Sequence, residues 1–167
     1  LELAAFSIAQ CRRYGLDCVV SGHTQDTMEA QIQYLQRLEK LKPDAIVLVT
    51  NRFAAEDEPE SLAIENLRKL MAALSPETRL GVYECPMPYK RLLSDEILKV
   101  MAESGRFDFI KDTCCQIDLI RHRLDLLRGT GVALYNANAK TLYESLVAGA
   151  AGYSGILLNF MPEFYHG

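Results

Sequence analysis

The sequence predicts a partial (β/α)8 TIM barrel, on three observations. Helix-patterned and strand-patterned segments alternate along the whole chain, the strand segments are apolar on both faces, and the first of them lacks the glycine-rich phosphate turn of a doubly wound sheet. Strands that are apolar on both faces are those that helices cover, which favours a parallel sheet. A whole barrel of this kind needs roughly 250 residues, so six units in 167 residues predict one domain with about two units missing. The expectation is of a piece of a longer protein, because Leu1–Ala9 is already helical in pattern with no strand before it.

Leu1, Ala4, Ala5, Ile8 and Ala9 share one helical face, and Tyr14-Gly15 supplies a stop. Asp17 to Gly22 reads as a short buried strand. Asp26 or Thr27 caps a helix through Leu41, with Ile32, Leu35, Leu38 and Leu41 on one side, and Pro43 prevents its continuation. Ala45–Val49 is the second strand. The pattern then repeats, with helix 60–74 before strand 80–83, helix 94–102 before strand 107–110, and helix 116–127 before strand 132–135. A last helix at 140–148 leads to a last strand at 155–158.

Composition narrows the function classes. The chain is 49% apolar and 24% charged with a net charge of -4, and its 18 basic residues form no run, so no nucleic-acid partner is expected. No apolar stretch has the length of a membrane span and no basic region precedes an apolar one, which predicts a cytoplasmic protein with no membrane partner. The odd number of cysteines, without a C-x-x-C pair, reads as free thiols. His23, His122 and His166 are scattered without ligand spacing, so no metal is expected, and His122 between Arg121 and Arg123 reads as a solvent face. Glu56-Asp57-Glu58 reads as a solvated loop.

Reactive groups of parallel α/β folds gather at the C-terminal ends of strands. There, alternation puts Phe109, Lys111 and Thr113 on one face, and Gly81, Tyr83 and Cys85 on another strand's face. If that face is the barrel interior, burial lowers the pKa of Lys111 and makes it a nucleophilic amine, with Tyr83 able to relay protons. The competing readings are a lysine snorkelling to solvent and a tyrosine filling the core. Cys114-Cys115 could lie at a pocket rim, although a small buried thiol is the plainer reading.

A strand ending Tyr83-Glu84-Cys85-Pro86, followed one unit later by a strand ending Ile110-Lys111-Asp112-Thr113, resembles the dihydrodipicolinate synthase and N-acetylneuraminate lyase family. Ser21-Gly22, Thr27-Met28-Glu29-Ala30, Leu48-Val49-Thr50 and the small-residue stretch Ala148–Gly155 extend the resemblance along the chain and imply units three to eight of the family's barrel, with the N-terminal β/α units and the C-terminal helices missing. It implies a class I aldolase-type lyase or synthase, in which Lys111 forms a Schiff base with pyruvate or another 2-keto acid and Tyr83 shuttles the proton. Thr113, Tyr135, Asn136 and Ser154 would contact the substrate, no cofactor would be needed, and a homo-oligomer is implied because relatives are commonly homotetramers.

Departures from the pattern refine this. Pro88 stands where synthases of the family carry an arginine for the second substrate, with Tyr89, Lys90 or Arg91 as possible replacements. Asn51-Arg52-Phe53 stands where they carry an aromatic pair of a proton relay, and Phe53 has no hydroxyl. The family's carboxylate-binding threonine pair lies after its second strand, a position these residues do not cover. Two alternatives stay open: a catalytically weakened ligand-binding or regulatory member, and a sugar-acid dehydratase or aldolase using the same imine.

Overall fold

The computed structural model describes residues 1–165; His166 lies outside the described residues. Six parallel strands form one sheet in the order of the chain, β1 (Val19–Ser21), β2 (Ala45–Val49), β3 (Leu80–Tyr83), β4 (Phe107–Asp112), β5 (Ala133–Asn136) and β6 (Gly152–Tyr153). A doubly wound sheet reverses its strand order at a switch point. Here each strand pairs with the strand before it, as in a barrel, and side chains from β1, β4, β5 and the residue after β6 face one shared cavity. The sheet therefore curves, and the predicted partial barrel is the fold.

Helices α1 (Glu2–Arg13), α2 (Met28–Glu39), α3 (Glu60–Ala73), α4 (Asp95–Ser104), α5 (Ile117–Leu126) and α6 (Leu142–Val147) separate the strands. Two starts are capped by side chains: the Thr27 hydroxyl, as predicted, accepts from the Ala30 amide, and the Ser94 hydroxyl accepts from that of Ile97. Leu35, Leu38, Leu67, Leu70, Ile97, Leu98 and Ile120 project from the helices onto the outer face of the sheet. They meet Val20, Ile46, Leu48, Leu80, Val82, Ile110 and Leu134 there, which makes the core the layer between sheet and helices. No helix among the described residues is long and apolar enough to cross a membrane.

The last strand corrects the sequence reading. Gly152–Tyr153 pairs with Tyr135 and Asn136, whereas Ile156–Asn159 forms a 3-10 turn with Ile156 exposed. Apolar runs as short as Gly155–Leu158 fit either state by pattern alone. What decides here is space, because a side chain at residue 152 would press on the Tyr135 ring, so the strand forms where glycine lets it approach.

Candidate active site

Strand alternation builds the site. Tyr83 on β3, Lys111 on β4 and Tyr135 on β5 are successive Cα partners across the sheet and point to the inner face. With Ser154 just beyond β6, and with Val19, Val47 and Phe109, they line a cavity of about 680 Å³.

The Lys111 Nζ stands over the Tyr83 ring, 4.6 Å from its centroid. Burial pulls the amine below its ordinary value, with the nearby Cys85 thiol pushing the other way. For Tyr83, burial pushes the phenol up and Cys85 adds to the push. Burial thus shifts both groups toward their uncharged forms, the direction that suits attack of an amine on a carbonyl followed by proton delivery.

Beneath Lys111 the floor is aromatic. Phe109 meets Tyr135 edge to face at 6.0 Å and lies across Gly81, where a Cβ would come within 2.3 Å of its ring. Only glycine leaves room for that ring.

Behind the sheet, on the face opposite the amine, Glu84, Asp112 and Arg123 are fully buried. Arg123 of α5 reaches Glu84 Oε1 at 2.7 Å and pairs also with Asp112 Oδ2. Its guanidinium donates to the Leu93 carbonyl, while Glu84 accepts from the Leu93 and Thr113 amides, each bond being 2.8 Å. Burial, which pulls Arg123 down, is outweighed by the two carboxylates, and burial pushes Glu84 up with Asp112 adding to it. The expectation that Arg123 shares a solvent face with His122 is thereby corrected. Arg123 follows Ile120 by three positions and precedes Leu127 by four, so it lies on the apolar face, and only buried carboxylates opposite it make that position tenable.

Of the predicted site residues, Lys111, Tyr83, Tyr135 and Ser154 come together on the cavity. Thr113 and Asn136 do not line it. The Thr113 hydroxyl donates to the Glu84 carbonyl at 2.7 Å, because β4 ends at Asp112 and alternation no longer holds beyond it. Asn136 falls on the outer face and donates to the hydroxyls of Thr141 and Ser145, each at 3.0 Å.

The possible arginine replacements are all engaged elsewhere. The Tyr89 hydroxyl donates to the Asn51 carbonyl at 2.6 Å, the Lys90 amine to that of Thr113 at 2.8 Å, and Arg91 to those of Ala55 and Glu58. They brace the loop that follows Tyr83. Asn51 clamps the same loop, its amide donating to the carbonyls of Cys85, Met87 and Tyr89. Phe53 is fully buried in the core, and Cys114 is buried beside Cys115, which is exposed.

His23 was legible only as a scattered histidine. It is buried, its Nδ1 accepts from the Val49 amide at 2.9 Å, and its Nε2 therefore carries the proton that Gln31 Oε1 accepts at 2.7 Å. Burial pulls it down to about 4. Among the described residues, no three His, Cys, Asp or Glu side chains gather as a metal site.

No family model matches the chain, and no curated protein does either. Solved structures do. The chain is similar to YagE, a prophage protein of the dihydrodipicolinic acid synthase family from E. coli K12 in complex with pyruvate, at 18% identity and a TM-score of 0.84, covering 98% of this chain and 54% of that one. A dihydrodipicolinate synthase from Acinetobacter baumannii complexed with pyruvate matches at 21% identity and a TM-score of 0.80, over 98% and 55% of the two chains. The 2-keto 3-deoxygluconate aldolase from Picrophilus torridus matches at 16% and 0.72, over 94% and 56%. This chain spans about half the length of each. It carries the barrel fold of the dihydrodipicolinate synthase family structures.

Proposed function

We propose that the protein is a class I aldolase-type lyase or synthase of that family, making or breaking a carbon-carbon bond of a 2-keto acid through a Schiff base on Lys111. The observation that carries the reading is the half-buried Lys111 amine over the Tyr83 ring, at the cavity end of adjacent strands. The neutral amine attacks the keto carbon, water leaves, and the resulting iminium accepts the electron pair of the bond that breaks. Tyr83 gives and takes the proton at the reacting atoms. Two of the similar structures hold pyruvate, which fits a short keto acid in this cavity.

Tyr135 and Ser154, which line the cavity, are assigned substrate contacts, and Thr113 and Asn136 support the walls from behind. The chemistry calls for no metal or organic cofactor. By resemblance the protein works as a cytosolic homo-oligomer. With Pro88 in the arginine position and its neighbours engaged in the loop, a sugar acid cleaved or dehydrated through the same imine fits better than the synthase reaction.

Incubation with pyruvate and borohydride is expected to add mass at Lys111. An unmodified Lys111, alongside a modified control aldolase, would reject the assignment. A second reading, a ligand-binding or regulatory member, is favoured by the buried, hydroxyl-free Phe53. Trapped pyruvate without turnover on aldehydes or sugar acids supports it, and turnover eliminates it.

A further inference from the structure

Lys111 and Tyr83 each precede, by one residue, an acid that points the opposite way. Glu84 follows Tyr83 and Asp112 follows Lys111, and both reach the covered side of the sheet, where Arg123 joins them. Two strand ends are thus tied together by one guanidinium from α5, directly behind the pair that faces the cavity. The tie between Glu84 and Thr113 is doubled. Glu84 Oε2 accepts from the Thr113 amide, the Thr113 hydroxyl returns a bond to the Glu84 carbonyl, and Asp112 Oδ1 accepts from the Cys114 amide at 2.8 Å.

Stability does not explain such an arrangement. Burying three charges is costly, and well-packed apolar side chains of similar volume would often serve stability as well or better. What a buried network supplies, with both carboxylates and both terminal guanidinium nitrogens paired and only the Arg123 Nε left without a partner among the described residues, is a single geometry.

The geometry points to Arg123 as a positioning residue for the Lys111–Tyr83 pair, acting through Glu84 and Asp112 without touching substrate. Each carboxylate sits one peptide unit from a site side chain, so releasing it lets that side chain turn with its strand end. The inference rests on Lys111 being the working amine of the site. The titratable side chains that line the same cavity as that amine are Tyr83 of β3, Tyr135 of β5, Tyr153 of β6, Asp17, Asp44 and the Arg79-paired Asp108, and Cys85 acts on it from the loop after β3.

The test is the pH dependence of Lys111 acylation by trace acetic anhydride, read by mass spectrometry against the exposed Lys99 of the same chain. It compares the wild type, Arg123→Lys, and the neutral triple variant Glu84→Gln, Asp112→Asn, Arg123→Met. Two carboxylates against one guanidinium carry one excess negative charge. Removing it acts electrostatically to lower the Lys111 midpoint, whereas freeing the amine toward water raises it. The expected result is folded variants whose Lys111 midpoint rises by about one pH unit or more. An unmoved or lowered midpoint in a folded variant overturns the inference, and so does failure of both variants to fold, which would make the network a requirement of folding alone. Acylation needs no Schiff base, so a wild type that resists borohydride trapping defeats the proposed function and leaves this test decisive.

Discussion

Lys111 and Tyr83 are direct partners across β3 and β4, and the amine of one stands over the aromatic face of the other. Face and hydroxyl of the tyrosine can therefore be separated by mutation. Tyr83→Phe keeps the face and loses the proton. It is expected to retain borohydride trapping at Lys111 while turnover falls by about 10²- to 10⁴-fold. Tyr83→Ala removes both, and the acylation midpoint of Lys111 should rise as water reaches the amine.

The lowered Lys111 amine sets a pH dependence. A neutral amine is the reactive form, and its population grows as pH rises through the pKa. Imine trapping in the native protein is thus expected to persist at pH values below those at which a free lysine side chain reacts, and its rate against pH, compared with a short lysine peptide, checks this.

Gly81 and Phe109 are coupled sterically. Gly81→Ala forces the ring away from its packing on Tyr135 and is expected to cost about 1–3 kcal/mol in chemical denaturation. Phe109→Leu removes the obstructing ring atoms, so the double variant should be more stable than the sum of the two singles requires, by roughly 1 kcal/mol in a double-mutant cycle.

His23 makes stability acid-sensitive. Its folded value of about 4 lies below its ordinary 6.5, so between those values the unfolded chain takes up a proton that the folded chain refuses. Stability is complete above pH 6.5 and falls as pH drops toward 4, by up to roughly 3 kcal/mol. The imidazole C–H resonances of His23 should not titrate above pH 5.5 or so in NMR spectra of the folded protein.

Asn51→Ala leaves the carbonyls of Cys85, Met87 and Tyr89 without their shared donor and is expected to destabilise by about 1–3 kcal/mol. Asn51→Asp should cost more, because it sets a carboxylate against the same three oxygens. Thermal melting of the two variants ranks them.

Much of this architecture was written in local pattern. β2 and β3 appear at their predicted residues because apolar runs bounded by Pro43 or a polar loop have few other solutions, and alternation puts Lys111 with Phe109 and Tyr83 with Gly81 on shared strand faces, which the structure turns to the inner side. What local pattern does not contain is partnership. Arg123 looks like its charged neighbours until Glu84 and Asp112 are brought behind β3 and β4. Likewise, Thr113 continues the alternation on paper, but the strand stops one residue before it. A charged residue on an otherwise apolar helical face, together with acids at sheet positions that helices cover, is the signal that could have found the network.

Strand order in this sheet follows chain order, so the elements that define the pocket are neighbours in synthesis as well as in space. The amine and the phenol come from consecutive repeats, and the arginine that braces them lies on the helix made immediately afterwards. The Arg123–Asp112 tie spans 11 residues and closes at low entropic cost, whereas the Tyr83–Lys111 register and the Arg123–Glu84 tie close longer loops and come later. A nascent chain that has emerged only through α5 already contains every residue needed to set that pair, before the final strand exists to wall it in.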